Sequence, residues 1–329
     1  MTNVSEQERS QTGLLDRAKE TIGLHNISLL IALVGLIVLF GALRSDVFFS
    51  PRNLLNIGMG IAILGVLAVS QTAVIVSGGL DISVGSIVGL TTVSTAVAIQ
   101  TTGSPVAGIT FGLLVGFMAG LFNGLVITYG RVNAIIVTLG TMAIFRGIAF
   151  IISDGQSISI FSDTFRFIGI GRFLGLPIPI WILLFVAVAF QIFLARTVIG
   201  RNYYAVGGNP TVARLAGLKV ERYRLGIYCI SGVVAAIGGI LLAARTGSGQ
   251  PISGSQGLEL EAITAAFLGG CAMQGGKGTV LGAMLGVAII GVLNNGMILT
   301  SVPTFYQLLA KGSLLILAVL LSEYHQNKA

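Results

Sequence analysis

Apolar residues run along this chain in long unbroken stretches, with no alternation of polar positions. Between Asp81 and Arg131 lie 49 residues without Asp, Glu, Lys or Arg, and Asn53–Leu80, Phe173–Ala195, Leu225–Ala244 and Gly278–Ala310 are free of them as well. A helix needs about 20 apolar residues to cross a hydrocarbon core roughly 30 Å thick. Each stretch is long enough to span, and the 49-residue one must hold two spans. Backbone groups in lipid must satisfy one another, which leaves helices or a closed barrel, and continuous apolar runs exclude the barrel. The pattern predicts an all-α polytopic membrane protein of about ten transmembrane helices, placed at 27–43, 55–77, 83–100, 105–129, 133–152, 177–195, 225–244, 258–273, 279–299 and 303–322. A transmembrane domain 27–322 is then flanked by tails 1–26 and 323–329. The stretch Ser77–Asp81 reads either as a loop or as a break inside the membrane.

Composition agrees: 54% of residues are hydrophobic and only 9% charged, against about a quarter charged in soluble domains. The formal charge of +7, from 19 basic and 12 acidic side chains, reports orientation in such a protein rather than nucleic-acid binding. The connection 196–224 carries Arg196, Arg201, Arg214, Lys219, Arg222 and Arg224 against one acid, Glu221, which predicts that it lies in the cytoplasm. Counting spans from there puts both termini, Arg131 and Lys277 inside, and Asp46, Asp154, Asp163 and Glu259 outside. The 26 mostly polar residues before the first apolar run are too long for the basic segment of a cleavable signal, so the first span is expected to be retained. Cys229 and Cys271 both fall in apolar stretches and read as small buried side chains.

Finer patterns lie within the apolar runs. Gly112, Gly116, Gly120 and Gly124 share one helix face, where small residues admit a neighbouring backbone. Asn123-Gly124 ends the fourth predicted helix and Asn295-Gly296 the ninth, each followed by aliphatics and a threonine. Helices five apart run in opposite directions, so this suggests an inverted repeat of helices 2–5 and 7–10. Gly270–Gly278 looks like a phosphate-binding loop but has Cys271 and Gly278 where that loop needs a glycine and a hydroxyl, so no ATP site is expected here. His25 and His325 lie near the ends, so neither metal nor His-based proton chemistry is expected in the membrane. Charges at membrane depth are costly and point to function. Lys311 is predicted near mid-span, with Glu261 as its partner; Asp81 sits at a span edge; Arg146 is expected to snorkel to an interface.

In the basic connection, Asn209 suits a helix cap, Pro210 the first helical position and Gly217 a terminator. A short exposed helix results, of the kind a partner protein can hold. This segment, Gly207-Gly208-Asn209-Pro210…Ala213-Arg214-Leu215-Ala216-Gly217, resembles the coupling loop of permease subunits in ribose-type ABC importers, the second class of bacterial carbohydrate uptake systems. Gly78-Gly79-Leu80-Asp81-Ile82-Ser83-Val84-Gly85 is similar to a signature of the same family, and Leu268-Gly269-Gly270…Gly275-Gly276-Lys277-Gly278-Thr279, Asn294-Asn295-Gly296 and Tyr306-Gln307…Lys311 match in order. The resemblance covers about residues 50–320. It implies a multi-pass protein of the bacterial cytoplasmic (inner) membrane that pairs with a second permease subunit, alike or unlike. It further implies a tandem or paired ATP-binding subunit, which holds ATP and Mg and grips Gly207, Gly208, Asn209, Pro210, Ala213, Arg214, Leu215 and Gly217. An extracytoplasmic sugar-binding protein would deliver substrate, and this chain would be no enzyme and bind no cofactor. Asp81, Ser83, Ser86, Asn123, Asn294 and Asn295 are the expected neighbours of the translocation pathway. An ion-coupled secondary transporter, which inverted repeats also permit, is the alternative, and a membrane-embedded enzyme would need an acid/base or metal cluster that the sequence does not offer.

Overall fold

A computed structural model describes residues 24–326, with side chains placed for 26–320. Most of the expected tail 1–26 and part of 323–329 lie outside the described residues. The chain runs α1 (Leu24–Leu43), α2 (Ser45–Phe48), α3 (Pro51–Val76), α4 (Val84–Thr102), α5 (Pro105–Tyr129) and α6 (Ala134–Ser153). A surface stretch follows, holding β1 (Ile158–Ser159), α7 (Asp163–Ile170), β2 (Arg172–Phe173) and β3 (Leu176–Pro177). Next come α8 (Ile178–Arg196), α9 (Val198–Gly208), α10 (Pro210–Leu215), α11 (Val220–Thr246), β4 (Ser248–Gly249), α12 (Leu258–Leu268), α13 (Val280–Leu299) and α14 (Thr304–Gln326). The strands only form two short antiparallel pairs, β1 with β4 and β2 with β3. Local chemistry sets the starts of the long helices. Ser50 before Pro51 and Ser104 before Pro105 each accept a backbone N–H of the first turn, as caps followed by a proline should.

All ten predicted spans are helical, but eight helices among the described residues are long and apolar enough to cross a membrane. The segment expected at 258–273 is the clearest difference. Helix α12 has 11 residues, about 16 Å of rise, half a hydrocarbon core. The polar-looking stretch 247–257 before it is folded into the bundle along α4, with Gly249 against Ala96, Pro251 near Gly89 and Ser255 near Gly85. Irregular backbone can sit there only if it is sealed by protein. Thr92 seals part of it, accepting from Gln250 N at 2.9 Å and donating to Gln250 O at 2.7 Å. Glu259 is 6% exposed inside the bundle, and Arg146, expected to snorkel, instead reaches it, with 3.5 Å between Nη2 and Oε1.

Helices α3, α4 and α11 form the buried centre. The four glycines of α5 face α11: Gly116 and Gly120 lie against Gly232, and Gly124 against Leu225. Contacts repeat across the molecule. α5 packs on α11 as α13 packs on α3, α4 on α11 as α12 on α3, α4 on α5 as α12 on α13, and α4 on α6 as α12 on α14. Exchanging α3–α6 with α11–α14 thus reproduces the packing. α3 ends where α11 begins, beside the basic connection, so the two halves run in opposite senses.

Candidate functional site

At the basic end, α9 leads through Asn209 into α10. Asn209 Oδ1 accepts from Thr211 N and Val212 N, both at 3.0 Å, and Pro210 takes the first helical position. At the other end Leu218 N donates to Ala213 O and Gly217 N to Arg214 O, both at 3.0 Å. Gly217 has φ +86°. These two bonds close a Schellman motif, and Leu218 packs with Ala213, Val206 and Val220 in the accompanying apolar contact. With both ends satisfied, the short helix holds its shape while Val212 and Leu215 stand 58% and 85% exposed. Arg214 pairs with Glu221 at 2.6 Å on the surface. The expected coupling residues therefore divide. Asn209, Pro210, Arg214, Leu215 and Gly217 belong to the protruding helix with Ala213 as its buried anchor, whereas Gly207 and Gly208 form the last turn of α9, Gly207 being buried against the turn after α3. Tyr203 and Tyr204 precede that turn. Burial pushes the Tyr203 phenol up to about 12 and raises Tyr204 as well, so Tyr204 remains a protonated donor, to Gly278 O at 2.8 Å.

The break after α3 turns back into the bundle: Gln71 Nε2 donates to Asp81 O at 2.7 Å, more than a helical turn before the end of α3. Asp81 is fully buried. Its Oδ1 accepts from Ser83 N at 3.0 Å and Ser83 Oγ at 2.6 Å, and its Oδ2 from Ser231 Oγ at 2.9 Å. Asn123 Nδ2 donates to Ser83 Oγ at 2.8 Å, and Ser86 Oγ to Ser83 O at 2.7 Å. A carboxylate at the start of α4 also meets the positive end of the helix dipole. Asp81, Ser83, Asn123 and Ser231 thus tie α4, α5 and α11 together while Ser86 bonds back within its own helix, and in this conformation Asp81, Ser83, Ser86 and Asn123 are enclosed instead of lining an open passage. A cleft of about 1090 Å³ opens at the basic end and reaches Gly78, Leu80 and Tyr228, with Arg131, Arg214 and Arg224 in its walls.

Helix α12 carries the other charged groups. Lys311 Nζ lies 2.7 Å from Glu261 Oε1, and Asn294 Nδ2 donates to Glu261 Oε2 at 3.2 Å. Beside it stands Glu259 with Arg146, so α6, α13 and α14 converge on two carboxylates of one short helix. Asn295 does not join this group. It exchanges two hydrogen bonds with Asn53, at 2.8 and 3.1 Å, holding α13 to the start of α3. Sequence reasoning passed over Gln71 and Ser231, although each interrupts an apolar run with a polar side chain that needs a partner.

The chain matches, over residues 53–319, the family model described as branched-chain amino acid transport system / permease component. It is 41% identical over 294 residues to the L-arabinose ABC transporter permease protein AraH of Azospirillum brasilense, covering 89% of this chain and 86% of that one. It is 39% identical over 288 residues to the ribose import permease protein RbsC of Bacillus subtilis, with 87% and 89% covered. The L-arabinose transport system permease protein AraH of Escherichia coli K12 is 40% identical over 299 residues, with 89% and 91% covered. No solved structure matches. A multi-pass helical bundle with a doubly closed helix at its basic end, matched along 53–319 and by full-length relatives, places the chain as a member of this family of transport-system permease components.

Proposed function

We propose that the chain is the membrane subunit of an ATP-driven sugar importer for a pentose of the ribose or arabinose kind, related hexoses and furanoses being the wider class. The relatives named for ribose and arabinose import carry this reading and favour it over the ion-coupled alternative. The basic end faces the cytoplasm, and α10 is the handle of a partner ATPase, which holds ATP and Mg. A binding protein delivers sugar on the other side, and two permease subunits, alike or unlike, enclose the path. Two observations support the handle: its ends are closed by its own residues, and Val212 and Leu215 lie bare in a polar setting. Exposed apolar residues on such an element suit a partner. On the path, Glu261, Lys311 and Asn294 are the polar groups positioned to meet a hydroxylated solute, while the Asp81 knot is enclosed.

The test is to purify and reconstitute the complex with Leu215→Asp or Gly217→Val. Arg214 is a less clean choice because its pairing with Glu221 would be disturbed too. Both variants should insert normally and lose ATPase co-purification or sugar uptake. Full uptake with an intact complex in both would remove the handle from the mechanism.

A further inference from the structure

Three backbone segments meet beside the handle with no side chain between them. Gly78 has φ +80°, and a Cβ there would lie 3.3 Å from Gly207 Cα. A Cβ on Gly275 would lie 2.7 Å from Gly78 Cα and 2.8 Å from Gly207 O, and one on Gly276 2.6 Å from Gly208 Cα. A Cβ on Gly207 would overlap Val76 O. Gly276 N donates to Val76 O at 2.9 Å, and Tyr204 Oη to Gly278 O at 2.8 Å. Gly78 belongs to the turn between α3 and α4, and Gly275–Gly278 to the turn between α12 and α13, so each half of the pseudo-symmetric bundle contributes one. Behind the first turn is the Asp81 knot; behind the second is α12 with its two carboxylates.

We propose that Gly207, Gly208, Gly78, Gly275 and Gly276, with Tyr204, are positioning residues for coupling: they form one rigid joint through which displacement of α10 moves both halves of the bundle together. The inference rests on the importer reading. Close-packed interiors transmit strain instead of absorbing it, and here glycine backbones meet directly, without an intervening side chain to take up a shift. Three segments joined backbone to backbone therefore move as one body, and bistable packing behind them turns a small shift into a change of state.

The experiment measures ATPase co-purification, ATP hydrolysis and sugar uptake on the same reconstituted complexes. Gly276→Ala should keep the ATPase bound and its hydrolysis within about twofold, while ATP consumed per sugar rises about tenfold, a typical coupling between sites. Tyr204→Phe adds no bulk and removes one bond, so it tests the joint even if the alanine variant folds poorly. Its ATP per sugar should rise about fivefold, at the low end of the same range. Parental ATP per sugar in Tyr204→Phe overturns the proposal. Failure of the parent chain to hold any ATPase would strike the importer reading itself, and the joint would fall with it.

Discussion

Among single residues, Lys311 was legible because a lysine inside an apolar run must find a partner, and Glu261 accepts it at 2.7 Å. Arg146 misled because the same logic allows a long side chain to escape to an interface, and only the fold showed Glu259 buried beside it. The lysine pair carries a prediction. Lys311→Ala leaves Glu261, where α12 meets α13 and α14, with Asn294 alone. Losing one member of a fully buried pair costs about 3–5 kcal/mol, and since these side chains are 30% and 15% exposed we expect about 1–3 kcal/mol here. The double variant Lys311→Ala/Glu261→Ala should recover part of that loss. Thermal unfolding in detergent measures it, and a double variant no better than the single one would show that the pair adds no mutual stabilisation. Gly217 allows a second residue-scale test. A Cβ there meets nothing within 4 Å, and φ is +86°, so substitution is penalised by backbone conformation alone, about 1–2 kcal/mol for an ordinary side chain. Asn visits that region readily, so Gly217→Asn should retain ATPase binding where Gly217→Val loses it. Equal retention by the two variants would mean that the turn tolerates other conformations.

At the scale of elements, the sequence disclosed the long helices and the closed short helix, because apolar length and cap residues are local signals. It did not disclose how the chain enters α12. Residues 247–257, Gly-Ser-Gly-Gln-Pro-Ile-Ser-Gly-Ser-Gln-Gly, have the composition of an exposed loop, and that composition carries no information that Gly249 fits against α4 or that Thr92 supplies the missing hydrogen bonds. The shortness of α12 and the burial of Glu259 both follow from this one segment. The same contact is testable. Thr92→Val keeps the shape of the side chain but leaves Gln250 N and O without their partner, at about 1–3 kcal/mol per buried unsatisfied group. Hydrogen exchange should accelerate at 247–257 far more than in α3 or α11. Unchanged protection there would show that other groups hold the segment in place.

For the molecule as a whole, two features set the architecture: the exchange of α3–α6 with α11–α14, and the concentration of base at one end. Two six-residue segments beginning at Asn123 and Asn295, which share Asn-Gly and a final threonine, hinted at the first, yet the two asparagines have different partners, Ser83 and Asn53. The repeat therefore preserves the packing plan and not the role of each side chain. The second feature predicts an orientation. Arg196, Arg201, Arg214, Lys219, Arg222 and Arg224 lie together in and beside the connection that holds α9 and α10, and Arg131 shares the cleft with Arg214 and Arg224. Basic residues in short connections are retained on the cytoplasmic side of a bacterial membrane, so α10 should face the compartment where ATP is present. A single cysteine at position 214, with Cys229 and Cys271 replaced by serine, should be inaccessible in intact cells to a thiol reagent that cannot cross the membrane and should react once the cells are opened. A single cysteine at position 154, at the opposite end of α6 from Arg131, should react in intact cells. Labelling at 214 before the cells are opened would invert the topology and place the handle beyond the reach of any cytoplasmic ATPase.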